Sequence, residues 1–422
     1  MLFLRSEVIL LNFSKKDNAE IRVLVISRLY PNRFNNSHGI FVHRQIEHLI
    51  QNRCKAIVVA PKPWSPKILW FREKWRDYGL IPKHDRLNNI EIHYPNYLRF
   101  PGKCYYPFSG ILVFFCIRKF IGSIKKSFQF EIIYSNTDVT DGHASILLGK
   151  RFKVPVVLMS RGELNVWPYT GKLANLACKT VLNKSDQIIT VSNDLRQIAE
   201  NLARPKVKIQ VVYNGCDTEM FRNLVDTDHI RQDLKLPKDS MVLMYLGSVE
   251  EDKGVYELFE AFNVLIKRYK RLHLVMIGDG PEKAAINLAA KESGCQNRIL
   301  IPGKKDNSEL PLWLNACDIF VFPSHYEGLP NSVMEAMACE RPVVATNAGG
   351  IPEIVEEGVT GYLVKVGDVE SLVLKIDALL SNESLRKTMG MKGRKKLLSH
   401  SSWDRNALKL VGILRNSIKH FG

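Results

Sequence analysis

Apolar positions along this chain fall into short runs separated by stretches with helical spacing. Ile21–Ser27 is a β-branched run. A Pro- and Asn-rich segment follows, Pro31–Gly39, and then Phe41, Ile46, Leu49 and Ile50 recur at the spacing of a helix face. Ala56–Ala60, Glu131–Ser135, Val154–Met159, Gln187–Val191 and Ile209–Tyr213 read as further strands. The second half repeats the pattern. Met241–Gly247, His273–Gly278, Arg298–Ile301, Ile319–Pro323, Pro342–Thr346 and Tyr362–Lys365 read as strands, with helices over Tyr256–Tyr269, Glu282–Glu292, Ser332–Cys339 and Ser371–Leu380 between them. Alternation of this kind implies parallel sheets covered by helices on both faces. The expected fold class is therefore α/β, with two doubly wound domains whose boundary lies near Asn214–Phe221. The spans expected are 21–216 and 217–400, with a leader at 1–20 and a final segment at 401–422. Ligands in such sheets bind beyond the carboxyl ends of the strands, so the cleft between the two domains is the default site.

The chain's 422 residues exceed one ordinary domain, which agrees with this division. A composition of 45% hydrophobic and 24% charged residues excludes wholesale disorder, collagen and coiled coil. No apolar run reaches the roughly 18 residues of a membrane span, and Val8–Phe13 is shorter than the core of a signal peptide. A cytoplasmic protein is expected. Eight scattered cysteines without a CxxC pair argue for free thiols in a reducing compartment. The net charge of +17 is uneven: residues 1–210 carry 33 Lys and Arg against 15 Asp and Glu, whereas the remainder is nearly balanced. A basic first half suits an anionic partner such as lipid headgroups or a phosphorylated substrate. No nucleic-acid-binding motif accompanies it, so nucleic acid is not expected.

The densest chemical signal follows the apolar run Ile319–Pro323: His325, Tyr326, Glu327, Gly328, Leu329, Pro330, Asn331, and then Glu335 at the start of a helical pattern. A tight Gly/Pro loop entering a helix presents unpaired amides to an anion. Glu327 and Glu335 could accept hydrogen bonds from hydroxyl groups. Ser332-x-x-Glu335 is also a capping box, which would use the second carboxylate structurally.

The segment Phe322–Gly361 resembles the retaining glycosyltransferases of family 4, which have the GT-B fold. It contains two glutamates separated by seven residues, Pro342-Val-Val-Ala, Gly349-Gly350-x-x-Glu353 and Thr360-Gly361. Asn214-Gly215…Phe221 is similar to that family's hinge, and Leu246-Gly247-Ser248…Lys253-Gly254 and Ile277–Pro281 to its donor-domain loops. Val191-Ser192 matches a smaller motif. The opening Arg28-Leu-Tyr-Pro31…Gly39-Ile-Phe41 is similar to members that build bacterial surface polysaccharides.

The resemblance implies two Rossmann-like domains facing across a cleft and retaining transfer of a sugar from a nucleotide-sugar donor. A UDP-sugar is favoured and GDP-mannose is second. Glu327 would contact the donor sugar, and Gly328–Asn331 would line the sugar–phosphate. Glu335 would hold the ribose, and Lys253 would stabilise the departing diphosphate. Gly39 would mark the loop reaching over from the first domain, and Gly303 would lie near the base. Ser248 stands where the family usually has Arg, which leaves the diphosphate one cation short; Arg161 is a candidate replacement. In Met159–Asn165, Arg161 and Glu163 occupy the places of a His and an Asp, although an ordinary turn is an alternative. Glu340 stands where a Gly is usual, so a local change of turn is expected there. No metal or cofactor is expected beyond the nucleotide sugar as co-substrate. The final helix would cross back onto the first domain. A 2-epimerase of the same fold and a non-catalytic nucleotide-sugar-binding subunit are the competing readings.

Two features concern the acceptor. Pro61–Tyr78 interleaves Trp64, Trp70 and Trp75 with Lys62, Lys67, Arg72, Lys74 and Arg76. Ile117, Phe120, Ile121, Ile124 and Phe128 share a helical face opposite Arg118, Lys119, Lys125 and Lys126. These suit peripheral attachment to an anionic inner membrane surface and a lipid-linked saccharide acceptor. The helix could equally pack on its own sheet. His143 either reaches the cleft or is structural.

Overall fold

The computed structural model describes residues 19–100, 105–224, 228–237 and 239–421. Most of the expected leader, and Cys104, lie outside these residues. The first sheet has eight strands, in the order Gln210–Val211, Gln187–Thr190, Val156–Ser160, Ile132–Ser135, Ile21–Ile26, Cys54–Val59, Ile90–His93 and His84–Leu87. All pairings are parallel except the last. The second sheet has six parallel strands: Ile299–Gly303, Leu272–Ile277, Met241–Leu246, Ile319–Phe322, Val343–Thr346 and Gly361–Val364. The central strands are nearly continuous Val, Ile, Leu, Phe and Met, because helices cover both faces and leave no solvent side.

In each sheet the strand order reverses once near the middle, between Ile21–Ile26 and Ile132–Ser135 and between Met241–Leu246 and Ile319–Phe322. A crevice opens where neighbouring connections leave on opposite faces. The loops beginning at Ser27, Gly247 and Pro323 leave three of these strands and contribute to the walls of the site described below, together with Arg161, which follows strand Val156–Ser160.

The final helix, Trp403–Lys419, packs on the first-domain helix Ile40–Gln51. Trp403 stacks on His48 at 6.0 Å, and the Asn406 amide donates to the Tyr213 carbonyl. Its apolar stripe of Ala407, Leu410, Val411 and Leu414 is buried there. The preceding helix Glu383–His400 reaches the hinge through Arg394, which donates to the carbonyls of Thr218 and Phe221.

Several expectations need correction. Helix Ser109–Phe128, with the short turn Tyr106–Phe108 before it, is long and apolar enough to cross a membrane by length and composition. Its only charges before Lys125 are Arg118 and Lys119. In the structure Val113, Ile117, Ile121 and Ile124 are buried, and the helix packs on helix Thr140–Phe152. The same helix receives His143, whose Cβ lies 2.5 Å from where a Cβ on Gly110 would be; His143 is therefore a packing residue. Trp70 folds down on Gly79, and its Nε1 donates to Ser65. Trp75 packs edge-on to Tyr78. Lys62 is buried, with its ammonium bonded to the carbonyls of Tyr78 and Ile81. What Pro61–Tyr78 presents to solvent is Trp64, Ile68 and Phe71 among its remaining cations. The seven described cysteines are all free, and six are buried.

Candidate active site

A cavity of about 510 Å³ lies between the two domains. Arg161, Ser248, Lys253, Glu327, Gly328, Leu329, Pro330, Asn331 and Glu335 all line it. Gly39 and Gly303 do not. Gly39 adopts a φ of 68° as the residue before helix Ile40–Gln51, and it sets the first turn of that helix, Ile40 and Phe41, against the cavity. Gly303 ends its strand with a φ of 83° and bonds through its carbonyl to the Gly278 amide, which is a structural use.

The second-domain wall grows from two strand ends. After Met241–Leu246 the chain makes a turn over Glu251–Lys253 into helix Val255–Arg268. After Ile319–Phe322 it runs through Ser324–Pro330 into helix Asn331–Ala338. The two meet where Lys253 Nζ donates to Glu327 Oε1 at 3.0 Å, an oxygen that also accepts from Ser324 Oγ at 3.0 Å. Burial favours the neutral amine, but the Glu327 carboxylate outweighs it, assisted by Asp252 and Glu250. Lys253 is held above the usual lysine range and stays a cation.

Helix Asn331–Ala338 begins one residue before the sequence suggested. Pro330 precedes it and no side chain caps it. The capping box is thus not formed: Ser332 already lies inside the first turn. The first-turn amides are left facing the cavity, and the Glu335 carboxylate has no hydrogen-bond partner among the described residues. Burial pushes that carboxyl up to about 7.

The opposite wall comes from the first domain. Arg161, just past strand Val156–Ser160, donates to Gln45 Oε1 at 2.6 Å, Asn136 Oδ1 at 2.8 Å and Asn214 Oδ1 at 2.8 Å, and lies over the Phe41 ring. All three acceptors are neutral amides. Burial holds Arg161 below the usual arginine range. Asn214, in the hinge, in turn donates to Asn331 Oδ1 at 3.0 Å. A hydrogen-bonded chain therefore runs from the first domain through the hinge to helix Asn331–Ala338. Gly328 closes the wall: a Cβ there would sit 2.4 Å from the Arg161 carbonyl, so only glycine admits this contact between the loops of the two domains.

Three groups were not assigned roles from sequence. Glu353, in the Gly-Gly-x-x-Glu loop, accepts from the amides of Asn193 and Asp194, from Asn193 Nδ2 and from Tyr213 Oη, all at 2.8–3.0 Å. A second-domain carboxylate thus caps the first-domain helix Asn193–Ala203. Tyr326 Oη donates to Asp194 beside it. The third group is Asp138, in the polar run Asn136-Thr137-Asp138 after strand Ile132–Ser135. Asp138 is buried, and burial and the neighbouring Glu163 push its carboxyl well up toward the protonated form. Glu163 itself accepts from the Asp138 amide, Arg28 and Tyr106. It is an anchor for the loop that carries Arg161. A polar cluster directly after an apolar strand was the available signal for Asp138.

Two family models match the chain: glycosyltransferase family 4 over residues 38–220 and glycosyl transferases group 1 over residues 226–396. This chain is a glycosyltransferase of that two-domain type. It is 26% identical over 337 residues to the Bacillus subtilis (strain 168) protein assigned as the teichuronic acid biosynthesis glycosyltransferase TuaC, covering 79% of this chain and 83% of that one. It is 33% identical over 217 residues to the capsular polysaccharide biosynthesis glycosyltransferase CapM of Staphylococcus aureus, where it spans 50% of this chain and 56% of that one. Among solved structures, sucrose-phosphate synthase from Thermosynechococcus elongatus superposes with a TM-score of 0.79 at 18% identity, covering 94% of this chain and 99% of that one. Anabaena Alr3699/HepE in complex with UDP and glucose gives 0.75 at 17%, covering 94% and 100%. These likenesses establish the GT-B fold, and the family models make the glycosyltransferase an enzyme of the hexosyltransferase class.

Proposed function

We propose that this glycosyltransferase moves a sugar, with retained anomeric configuration and without a metal, from a nucleotide-sugar donor to a hydroxyl of a lipid-linked saccharide in bacterial surface polysaccharide synthesis. The observation that carries the donor half is the Glu335 carboxylate. It has no hydrogen-bond partner among the described residues, is costly to ionise, and is placed beside an uncapped helix start in a cavity of nucleotide-sugar size. Glu335 would accept two ribose hydroxyls. The amides of the Asn331 helix would take phosphate oxygens, and Glu327 would bind the sugar. When the bond from the anomeric carbon to phosphate breaks, negative charge grows on the diphosphate. Lys253 stabilises it there, an interaction stronger in the transition state than before it. Arg161, supplied with no carboxylate partner, adds the second cation that Ser248 does not provide. The acceptor hydroxyl attacks from the same face and its proton passes to the leaving phosphate oxygen.

A UDP-sugar is the favoured donor, in keeping with the UDP and glucose named for Alr3699/HepE, and GDP-mannose is second. The names of TuaC and CapM support a surface-polysaccharide acceptor. The exposed Trp64, Ile68 and Phe71 among Lys67, Arg72, Lys74 and Arg76 support peripheral attachment to an anionic inner membrane face from the cytoplasm. The test is a thermal-shift panel of nucleotide sugars, followed by product analysis with membrane lipid extracts. Selective stabilisation by one UDP-sugar and a new glycoside with the donor's anomeric configuration are expected. An inverted product overturns the mechanism. An isomerised nucleotide sugar with no glycoside overturns the transfer in favour of epimerisation.

A further inference from the structure

The far edge of the first sheet carries a second group of chemically capable side chains, none of which lines the interdomain cavity. Strands His84–Leu87 and Ile90–His93 form an antiparallel hairpin. Its turn is Asn88-Asn89, with φ of 48° and 66°. Two consecutive left-handed residues make the tight turn that matches strand twist and fixes the register. The pair next to the turn, Leu87 and Ile90, is then hydrogen-bonded, and the pairs alternate from there. Arg86 opposite Glu91 and His84 opposite His93 both fall at the non-hydrogen-bonded positions, where facing side chains come closest. Since residues two apart share a face, all four project to the same side of the hairpin.

Three of them converge. The rings of His84 and His93 have centroids 5.0 Å apart. Glu91 Oε1 lies 2.7 Å from His93 Nε2 and 3.9 Å from His84 Nε2. One donor atom from each of the three residues lies within 4.8 Å of the others. A tetrahedral ion with bonds of about 2.0–2.1 Å needs neighbouring donors about 3.3 Å apart, and the two distances to Glu91 bracket that value. Phe120 packs edge-on against His93 at 5.0 Å and closes one side. The His93 side chain is 16% exposed and that of His84 55%, so the other side is open. Arg86, the remaining group on this face, is exposed and forms no ion pair with Glu91 among the described contacts.

We propose that His84, Glu91 and His93 bind one divalent transition-metal ion of the zinc class, with water in the fourth position. Two imidazoles and one carboxylate suit such an ion. Magnesium and calcium prefer oxygen-only sets. The ion would tie the outermost strand of the sheet to its neighbour at the end away from the turn, where an edge strand is otherwise least secured. Tyr94 follows His93 directly and, with Tyr97, lines a separate cavity of about 220 Å³ in the first domain. Metal binding would therefore stiffen one wall of that cavity. This inference stands independently of the reaction proposed above.

The test uses the full-length chain without an affinity tag, stripped with a chelator. Cobalt(II) serves as the spectroscopic probe, and zinc chloride is added in competition. The expected result is one equivalent of cobalt with the intense visible bands of tetrahedral coordination, displaced by zinc. Zinc should also raise the melting temperature, and the same concentration of magnesium should not. His84→Ala, at an exposed position that leaves the fold intact by circular dichroism, should reduce zinc affinity at least tenfold, and Glu91→Gln should do the same. Absence of a stoichiometric cobalt spectrum overturns the site. So does binding that persists unchanged in His84→Ala, because another of the chain's histidines would then hold the ion.

Discussion

Replacing Glu335 by Gln should make the protein more stable and unable to hold its donor. The carboxyl titrates at about 7 in the folded chain, against an ordinary 4.5, because burial disfavours the charged form. Below pH 4.5 it is protonated in both folded and unfolded chains and contributes no difference. Between 4.5 and 7 the unfolded chain releases this proton while the folded chain keeps it, so folding stability falls as pH rises. Above 7 the full penalty remains. At about 1.4 kcal/mol per pH unit of separation the ceiling is about 3 kcal/mol. Glu335 opens on the cleft, and solvent screening reduces this to about 1–2 kcal/mol. For a domain of this size that is about 3–6 °C in melting temperature. The assay is a melting curve of both proteins at pH 5 and pH 8, with and without nucleotide sugar. Glu335→Gln should melt higher than the parent at pH 8 and alike at pH 5, and its stabilisation by nucleotide sugar should vanish. In the parent, that stabilisation should weaken as pH drops below 7. A variant that melts lower at pH 8 yet still responds to nucleotide sugar would refute the reasoning, and would return Glu335 to a purely structural role.

Lys253→Ala should lower kcat by about 10²–10³ while changing the dissociation constant for nucleotide sugar less than tenfold, because its charge matters most as the leaving group departs; single-turnover rates beside binding isotherms separate the two. Glu353→Ala removes one acceptor from four donors across the domains, so small-angle scattering should show a larger radius of gyration and activity should fall about tenfold, with the secondary structure unchanged. Glu340, which stands where the family's glycine is usual, adopts a φ of 60°; Glu340→Gly should add about 0.5–1 kcal/mol of stability, read as a higher urea midpoint, and leave turnover as it is.

The strands of both sheets were legible because a parallel sheet buried on two faces leaves an unbroken apolar run, and each expected run lies on an observed strand to within a few residues. The hairpin His84–His93 was not, since its edge position leaves only Leu87, Ile90 and Ile92 as apolar markers. Its Asn88-Asn89 turn was the readable sign. The donor wall was legible for a different reason. Glu327, Gly328 and Glu335 are adjacent in sequence, so their spacing alone brings them to one loop and one helix turn. The other wall is assembled from Gln45, Asn136, Arg161 and Asn214, which are scattered over 170 positions; the resemblance pointed to Arg161 and to the hinge at Asn214 separately, and no local pattern joins them to Gln45 and Asn136. In Pro61–Tyr78 composition does not reveal which indoles fold inward. Trp70 has a glycine to lie against at position 79, and Trp64 has none.

On the reading proposed above, the charge arrangement at the cleft offsets the absence of an arginine at Ser248. Two arginines follow strand ends in the first domain, Arg28 after Ile21–Ile26 and Arg161 after Val156–Ser160, with strand Ile132–Ser135 between them. Arg28 is neutralised where it stands, by Asp141 at 3.1 Å and Glu163 at 3.5 Å, and serves as a brace. Arg161 is fixed just as firmly, but by amides, which orient a guanidinium without cancelling its charge. The neighbouring Asp138 carboxyl is itself driven toward the neutral form. A cation held this way keeps its field for an anion in the cavity. Because its scaffold includes Asn214 and, through it, Asn331, that field is directed properly only when hinge and donor helix are in register. On the reading proposed above, a second cation placed on the first domain would make charge stabilisation depend on the register of the two domains, whereas an arginine at position 248 would act from the second domain alone.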